Sequence, residues 1–183
     1  MTTTQRPRNR RGQGERLRGE IVAAAATLLE RHEAVTLRAV ARQAGIAAPS
    51  IYRHFADRDA VVQGLADAAG AALLGVVRDG LAVDGDAATR LRAACDAYLA
   101  GAARQPEHYR VLAERMRTAA GDAGVVPLLV AAVEDCVDEG SSTSTDPAGD
   151  GRALAVALHG LASLGGGPGA AHVLVDRLAS LRH

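Results

Sequence analysis

Residues 36–55, TLRAVARQAGIAAPSIYRHF, contain two short helical patterns separated by one tight turn. Thr36 is suited to cap the first helix, and Gly45 is suited to end it because glycine adopts the left-handed backbone conformation without strain. Pro49 fits the first turn of a second helix, which we expect to run to about Phe55. A longer helical pattern over residues 16–31 precedes this stretch, and the three segments together predict a helix-turn-helix.

A helix-turn-helix binds DNA by inserting its second helix into the major groove, while the first helix crosses the backbone. Such a recognition helix needs small residues close to the bases and hydroxyl or cationic groups where it meets phosphate. Residues 48–50 are small and residues 52–54 are polar, so the second helix offers both kinds. Thr36 and Arg38 lie at the start of the first helix, where the helix N-terminus would also favour a phosphate.

The rest of the chain is also helical in pattern, and no alternating strand pattern is present. We therefore expect an all-α protein of about nine helices, with an N-terminal three-helix DNA-binding domain followed by a second helical domain. A break rich in Gly and Asp covers residues 79–86, and polar or glycine-rich loops cover residues 141–147 and 165–169. The further helices are predicted from about residue 57 to 77, then at residues 87–104, 107–119, 127–139, 148–164 and 170–182.

Charge is distributed unevenly although the chain is neutral overall. Residues 1–60 hold eleven arginines against six acidic residues, a net charge of +5, and residues 61–183 hold ten against fifteen, a net charge of −5. We expect a disordered basic arm at residues 1–14, the helix-turn-helix domain at residues 15–60 and the second domain at residues 61–183. Four arginines of the arm are candidates for contact with the DNA duplex: Arg6, Arg8, Arg10 and Arg11.

The motif T-L-R-x-V-A-x-x-A-G-I-x-x-x-x-I-Y-R-H-F-x-x-R-x-x-V resembles the TetR family of bacterial transcriptional regulators. The resemblance is strongest from residue 16 to about residue 65. It implies that the chain is a DNA-binding transcriptional regulator, expected to be a repressor that a small-molecule ligand releases from its operator. Residues 152–167, RALAVALHGLASLGGG, also resemble a C-terminal subclass with a Trp-His-Gly signature, although Leu158 stands where that Trp would be.

The resemblance also implies which residues contact DNA. Phosphate contacts are expected from Thr36, Tyr52, His54 and Arg58, and base-edge or groove contacts from Arg38, Ala48, Pro49, Ser50 and Arg53. Phe55 is expected in the core. Ala47 departs from the family pattern, which commonly has a capping Ser or Thr there, and the missing cap would cost about 1 kcal/mol. The loop at residues 32–35 also lacks the usual Gly.

The resemblance implies that the second domain is a helical ligand-binding and dimerisation domain. Its middle helices are expected to hold a small ligand, and its last two helices are expected to form a two-fold homodimer. The apolar faces of these helices are wide enough for a partner, although they would also fit closure of the monomer core. The ligand's class is not specified by the sequence. Candidate ligand-binding residues, each of which also fits ordinary core packing, are Tyr98, His108, Tyr109, Met116 and His159.

Other classes of protein are disfavoured. An enzyme would need a site such as His159 with Ser163, or Cys95 with a histidine, but no nucleophile motif, metal-ligand spacing or phosphate loop supports one. We therefore expect no catalytic residue, metal or cofactor. Cys95 and Cys136 are expected to be reduced thiols of a cytoplasmic protein, and we expect no membrane segment or secretory signal. The main alternative is an all-helical protein-interaction adaptor without DNA specificity, which would not need the 36–55 motif or the charge asymmetry.

Overall fold

The computed structural model describes residues 13–118, 124–167 and 169–182. Within these residues the chain is all-helical, which confirms the predicted fold class. The predicted arm falls mostly outside the described residues, including all four of its arginines. The nine helices of the described residues are α1 (Gln13–Glu30), α2 (Leu37–Gln43), α3 (Ala48–Ile51), α4 (Arg58–Leu81), α5 (Ala87–Arg104), α6 (Pro106–Thr118), α7 (Val125–Asp138), α8 (Pro147–Ser163) and α9 (His172–Leu178).

The chain forms two compact units, the first ending at Leu65 and the second beginning at Ala66. The first unit has its own core, built by one face each of α1, α2 and α3 and by the start of α4. An added Cβ at Gly64 would lie 3.0 Å from Val22 and 3.3 Å from the Phe55 ring, so α4 packs closely on these side chains. The largest buried side chains of this core are Ile21, Leu28, Val40, Ile51, Phe55 and Val61.

The second unit packs α5, α7 and α8 around an aliphatic core, with α6, α9 and the rest of α4 against it. Two glycines permit close helix contacts. A Cβ at Gly80 would lie 2.6 Å from the Cα of Ala94, and a Cβ at Gly151 would lie 2.6 Å from the Cα of Val130. The largest fully buried aliphatic residues are Leu91, Leu99, Leu129, Leu154 and Leu158.

Several helix boundaries differ from the sequence-based prediction. Helix α3 ends at Ile51, and a turn rather than a helix leads to Phe55. Helix α4 continues to Leu81, through the beginning of the predicted break. Helix α7 begins at Val125 instead of Pro127, because the first turn of a helix leaves its N–H groups unpaired and so tolerates proline at its third position.

The last helix is shorter than predicted: α9 spans His172–Leu178 instead of residues 170–182. Ser180 has a φ of 51°, which ends the last helix, and the following residue forms an antiparallel bridge with Ser142. The Ser142 hydroxyl donates a 2.6 Å hydrogen bond to the carbonyl of Ala179. These non-local hydrogen bonds hold the chain end against the α7–α8 loop, and helical periodicity alone did not predict them.

One described helix, α4, is long and apolar enough to cross a membrane by length and composition. Its apolar side chains are used in the two cores instead. Val61 and Leu65 are buried in the first unit, and Leu73 and Val77 are buried in the second. A single helix of this kind is weak evidence for a membrane segment, because the core helix of a soluble protein can have the same length and composition.

Candidate nucleic-acid interface and ligand cavities

The turn between α2 and α3 is closed by local hydrogen bonds. The Thr36 hydroxyl accepts a 3.2 Å bond from the N–H of Ala39, so Thr36 caps α2 as predicted. Gly45 has a φ of 66°, and the N–H of Ile46 donates to the carbonyl of Ala41 over 3.0 Å. A left-handed residue followed by such a bond is a common helix ending, and it sets the direction in which α3 departs.

Helix α3 is anchored by one side and exposed on the other. Ile51 is fully buried, whereas Tyr52 is 61% exposed. Ala47 occupies the N-cap position without a side-chain hydrogen bond, as its sequence predicts. Of the nine residues expected to contact DNA, seven are exposed and two are partly buried, so all nine lie at the surface of the first unit: Thr36, Arg38, Ala48, Pro49, Tyr52, Arg53 and Arg58, with Ser50 and His54 partly buried.

Residues of α2 and α3 together line a shallow groove of about 290 Å³. Arg38 of α2 borders it on one side, and Pro49 and Tyr52 border it on the other. The groove therefore combines a cation, a phenol and small side chains on one surface. This is the combination needed for contact with phosphate and base edges.

Two arginines among the candidate contact residues, Arg53 and Arg58, also form hydrogen bonds within the protein. The Arg53 Nη2 donates a 3.2 Å hydrogen bond to the Ser50 hydroxyl. The Arg58 Nε donates a 3.0 Å bond to the carbonyl of Val35, and its Nη1 lies 3.7 Å from the Asp59 carboxylate. Arg58 thus fixes the start of α4 to the loop before α2, in addition to any contact with DNA.

Arg18 is a supporting residue that the sequence did not reveal. Its Nη1 donates a 2.8 Å hydrogen bond to the carbonyl of His54, and its guanidinium carbon lies 4.2 Å from the centre of the Phe55 ring. This side chain therefore holds the end of the recognition segment against α1. No motif or spacing connects Arg18 to residues so far along the chain.

The loop before α2 replaces the expected glycine by histidine. His32 has a φ of 55°, and its N–H donates to the carbonyl of Leu29 while the N–H of Glu33 donates to the carbonyl of Leu28. The left-handed position after α1 is therefore present, although the residue that occupies it has a side chain.

Two cavities of the second unit are lined by residues of both α5 and α6. The first, of about 490 Å³, lies among α4, α5 and α6, and the second, of about 660 Å³, lies among α5, α6 and α8. Tyr109 and Ala102 line both. Of the five candidate ligand-binding residues, His108 and Tyr109 line the first cavity and Tyr109 and His159 line the second. Tyr98 lies behind Tyr109, and Met116 packs against the core without lining either cavity.

A chain of hydrogen bonds runs through the residues between the cavities. The hydroxyls of Tyr98 and Tyr109 are 3.0 Å apart, and the Tyr109 hydroxyl is 2.7 Å from the Nδ1 of His159. Burial raises the pKa of Tyr98 and of Tyr109, so both phenols stay protonated. The Tyr109 hydroxyl, whose residue lines both cavities, therefore already has hydrogen-bond partners within the protein.

The geometry disfavours the thiol chemistry considered from sequence. Cys95 is fully buried, and burial raises the pKa of its thiol to about 12, so the thiolate needed for attack is scarce at neutral pH. Both cysteines are free. Across the described ranges, no group of three or more His, Cys, Asp or Glu residues is placed to hold a metal ion.

The last two helices carry an exposed apolar surface. Most large apolar side chains of α8 and α9 are covered, but Val156 is 73% exposed and Val173 is 64% exposed. The residue that follows α8, Leu164, is 88% exposed. We call Val156, Leu164, Val173 and Leu174 the apolar face.

Comparison with known proteins agrees with this architecture. Residues 21–65 match the model for bacterial regulatory proteins of the tetR family, and residues 91–182 match the model for a tetracyclin repressor-like C-terminal domain. No curated protein sequence matches the chain significantly. These matches do not test the Trp-His-Gly subclass, which stays a prediction.

Solved structures of bacterial regulators share the fold. A TetR-like transcriptional regulator from Rhodococcus sp. RHA1 is 20% identical with a TM-score of 0.65, over 94% of this chain and 96% of that one. A TetR-family regulator from Pectobacterium atrosepticum is 19% identical with a TM-score of 0.73, over 93% and 92%. The TetR family regulator PfmR from Thermus thermophilus is 19% identical with a TM-score of 0.62, over 87% and 94%. With its helix-turn-helix surface and both halves matched by family models, the chain belongs to the tetR family and is a DNA-binding transcriptional regulator.

Proposed function

We propose that this regulator is a homodimeric repressor that leaves its operator when a small molecule binds in the second unit. The observation that carries the proposal is the α2–α3 surface, where Arg38, Pro49 and Tyr52 border one groove. Such a regulator acts on chromosomal DNA, so we place it in the cytoplasm, without a membrane segment and without a catalytic role.

The proposed DNA contacts divide by chemistry. Thr36, Tyr52, His54 and Arg58 would contact phosphates, which position the protein but carry no sequence information. The base-edge or groove contacts would come from Arg38, Ala48, Pro49, Ser50 and Arg53. This assignment is supported by the burial of Ile51, which anchors α3 from the opposite side and leaves these residues at the surface.

The proposed dimer uses the apolar face. An exposed apolar surface of this kind on a soluble protein commonly marks an interaction site. Gly160 supports this placement, because a Cβ added there would meet nothing within 4 Å and the bare backbone leaves room for close approach of a second helix. A two-fold dimer would present two recognition helices to successive major grooves, roughly 34–36 Å apart.

Ligand release requires the ligand to favour a conformation that does not match this spacing. The first cavity is lined by α4, and α4 also supplies Val61 and Leu65 to the core of the DNA-binding unit. This continuity supports the proposal that occupancy of the cavity is transmitted along α4.

The test is fluorescence anisotropy with labelled DNA from immediately upstream of the protein's own gene, and a scrambled duplex of equal length, at several salt concentrations. A repressor of its own gene would prefer the upstream DNA by at least about a hundredfold. Equal, salt-sensitive binding to both duplexes would mean that the operator lies elsewhere. No binding to either at low salt would favour a protein-interaction adaptor.

Two variants test whether the α2–α3 groove is the DNA-binding surface. Arg38→Ala and Tyr52→Ala should weaken binding to the preferred duplex while the circular dichroism spectrum stays unchanged. Arg31→Ala is the matched control, because Arg31 is an exposed arginine in the turn after α1, outside the groove. If all three variants bind as the original protein does, the groove is not the DNA-binding surface.

A further inference from the structure

We propose that the first cavity binds an amphipathic carboxylate, with its apolar body inside the cavity and its anionic group at Arg104. This inference rests on the proposed ligand-responsive function and names the chemical class of the ligand. At about 490 Å³ the cavity falls within the range of roughly 300–1,000 Å³ that is usual for small-molecule sites.

The interior of the cavity is apolar. Its most buried lining residues are Leu73, Ala102, Tyr109 and Leu112. The one polar atom among these side chains is the Tyr109 hydroxyl, which is already hydrogen-bonded to Tyr98 and His159. An apolar ligand group at this depth would therefore bind favourably, whereas a polar group would lose its hydrogen bonds to water without gaining new ones.

Apart from the Tyr109 hydroxyl, the polar side chains of the lining are exposed or partly buried, which places them at the mouth. Arg104 and Gln105 are exposed, and His108 beside them is partly buried. A ligand that fills this cavity must accordingly have one apolar end and one polar end.

The charge at the mouth selects the polar end. Among the described residues that line the cavity, Arg104 is the only arginine and none carries a carboxylate. The Arg104 side chain has no ion-pair or hydrogen-bond partner among the described residues. Its guanidinium can therefore pair with a ligand carboxylate without breaking an existing bond, whereas an amine would be repelled.

The second cavity has more acidic than basic side chains in its lining. Its lining contains Glu107 and Glu114, and its arginine, Arg110, is paired with Glu107 at 2.7 Å. An anion would therefore be disfavoured there, and the preference for a carboxylate is specific to the first cavity.

Isothermal titration calorimetry of the full-length protein with three probes of equal chain length tests this inference. We expect octanoate to bind at least about fivefold more tightly than 1-octanol, and octylamine to bind more weakly than either. Arg104→Gln should abolish the advantage of octanoate over octanol without changing octanol binding. Arg78→Gln is the matched control, because Arg78 is an exposed arginine of α4 outside the lining.

A second variant tests the location. Ala72 is an exposed lining residue of α4, so Ala72→Leu should narrow the cavity and weaken octanoate and octanol together without unfolding the protein. The inference is overturned if octylamine equals octanoate, if Arg104→Gln keeps the selectivity, if Ala72→Leu leaves both affinities unchanged, or if none of the probes binds.

The calorimetry is made without DNA, so its result is independent of the proposed DNA-binding function. The same probes are then compared in the DNA anisotropy assay. Selective octanoate binding with no effect on the DNA anisotropy would support the ligand class and contradict ligand-induced release. Specific DNA binding with no binding of any probe would contradict the ligand class and leave the DNA-binding function intact.

Discussion

The guanidinium of Arg18 lies 4.2 Å from the centre of the Phe55 ring and donates a 2.8 Å hydrogen bond to the neighbouring carbonyl of His54. Phe55 is buried beneath it. One side chain of α1 therefore holds the residues that follow α3, and the position of the recognition helix depends on a contact between distant parts of the sequence.

Arg18→Ala should destabilise the DNA-binding unit by about 1–2 kcal/mol, because it removes a cation–π contact and a hydrogen bond to a carbonyl. Urea denaturation would measure the change, and operator affinity should fall as well. Arg16→Ala is the control, since Arg16 is an exposed neighbour paired only with Glu20. Equal stability of the two variants would show that the Arg18 contacts contribute little.

Ala47→Ser should stabilise the protein by about 0.5–1 kcal/mol, because a serine hydroxyl at this N-cap can accept a hydrogen bond that alanine cannot. Thermal denaturation would detect the gain. Ala56→Ser, in the exposed turn after α3, should change the stability by less than about 0.5 kcal/mol. A stability unchanged in both variants would mean that another group already satisfies the first turn of α3.

Replacing Arg6, Arg8, Arg10 and Arg11 by Gln should weaken DNA binding and flatten its salt dependence. The residues from 13 to 65 carry seven arginines against six acidic residues, so most of the net positive charge of the first 60 residues comes from these four. Each arginine that contacts a phosphate contributes about 0.9 to the slope of log K against log salt. Anisotropy at several salt concentrations measures that slope, and an unchanged slope would exclude the arm from the interface.

If the proposed dimer forms through the apolar face, Val156→Asp should weaken it by at least about tenfold, because the change places a charge on that face. Analytical ultracentrifugation over a range of concentrations would measure the dissociation constant. Val83→Asp makes the same change at a 40% exposed residue after α4, outside the apolar face. If Val156→Asp leaves the dimer intact, a different surface forms the interface.

Glu139→Gln should destabilise the protein at neutral pH and have no effect in acid. The Arg90 side chain and the N–H of Ala87 hold the pKa of the Glu139 carboxyl below its usual value. A carboxyl with a lowered pKa in the folded state stabilises the protein above the pKa of its unfolded state, and this contribution is lost as pH falls through the folded-state pKa. Urea denaturation from pH 3 to pH 7 should show the two proteins converging at low pH. A difference independent of pH would rule out the charge of Glu139 as the cause.

Local sequence patterns were sufficient for much of the fold. The cap at Thr36, the left-handed Gly45 and the proline at position 49 define α2, the turn and the start of α3 within a few residues of one another. Their conformations follow from backbone geometry and short-range hydrogen bonds, which is why they are predictable. The end of α3 was predicted less well, because the turn at residues 52–54 is held by Arg18 from another helix.

The candidate sites also differ in how far the sequence predicts them. The exposed residues of the candidate DNA-binding surface follow from the motif, since the buried positions of a short amphipathic helix determine which side chains remain outside. The cavities do not follow from any motif. Met116 and Tyr98 are as suitable in type as His108, but only packing among α4, α5 and α6 determines which side chains line the space.

By itself, the sequence determined the all-helical class, the helix-turn-helix, the buried position of Phe55 and the exposed surface that we propose for contact with DNA, because each depends on residues close together in the chain. The tertiary structure decided how Arg18 supports the recognition segment, how Tyr98, Tyr109 and His159 join in one hydrogen-bonded chain, and which apolar residues of α8 and α9 remain exposed. These features unite residues tens of positions apart. Their contacts exist only after the helices have packed, and helical periodicity does not specify which faces meet.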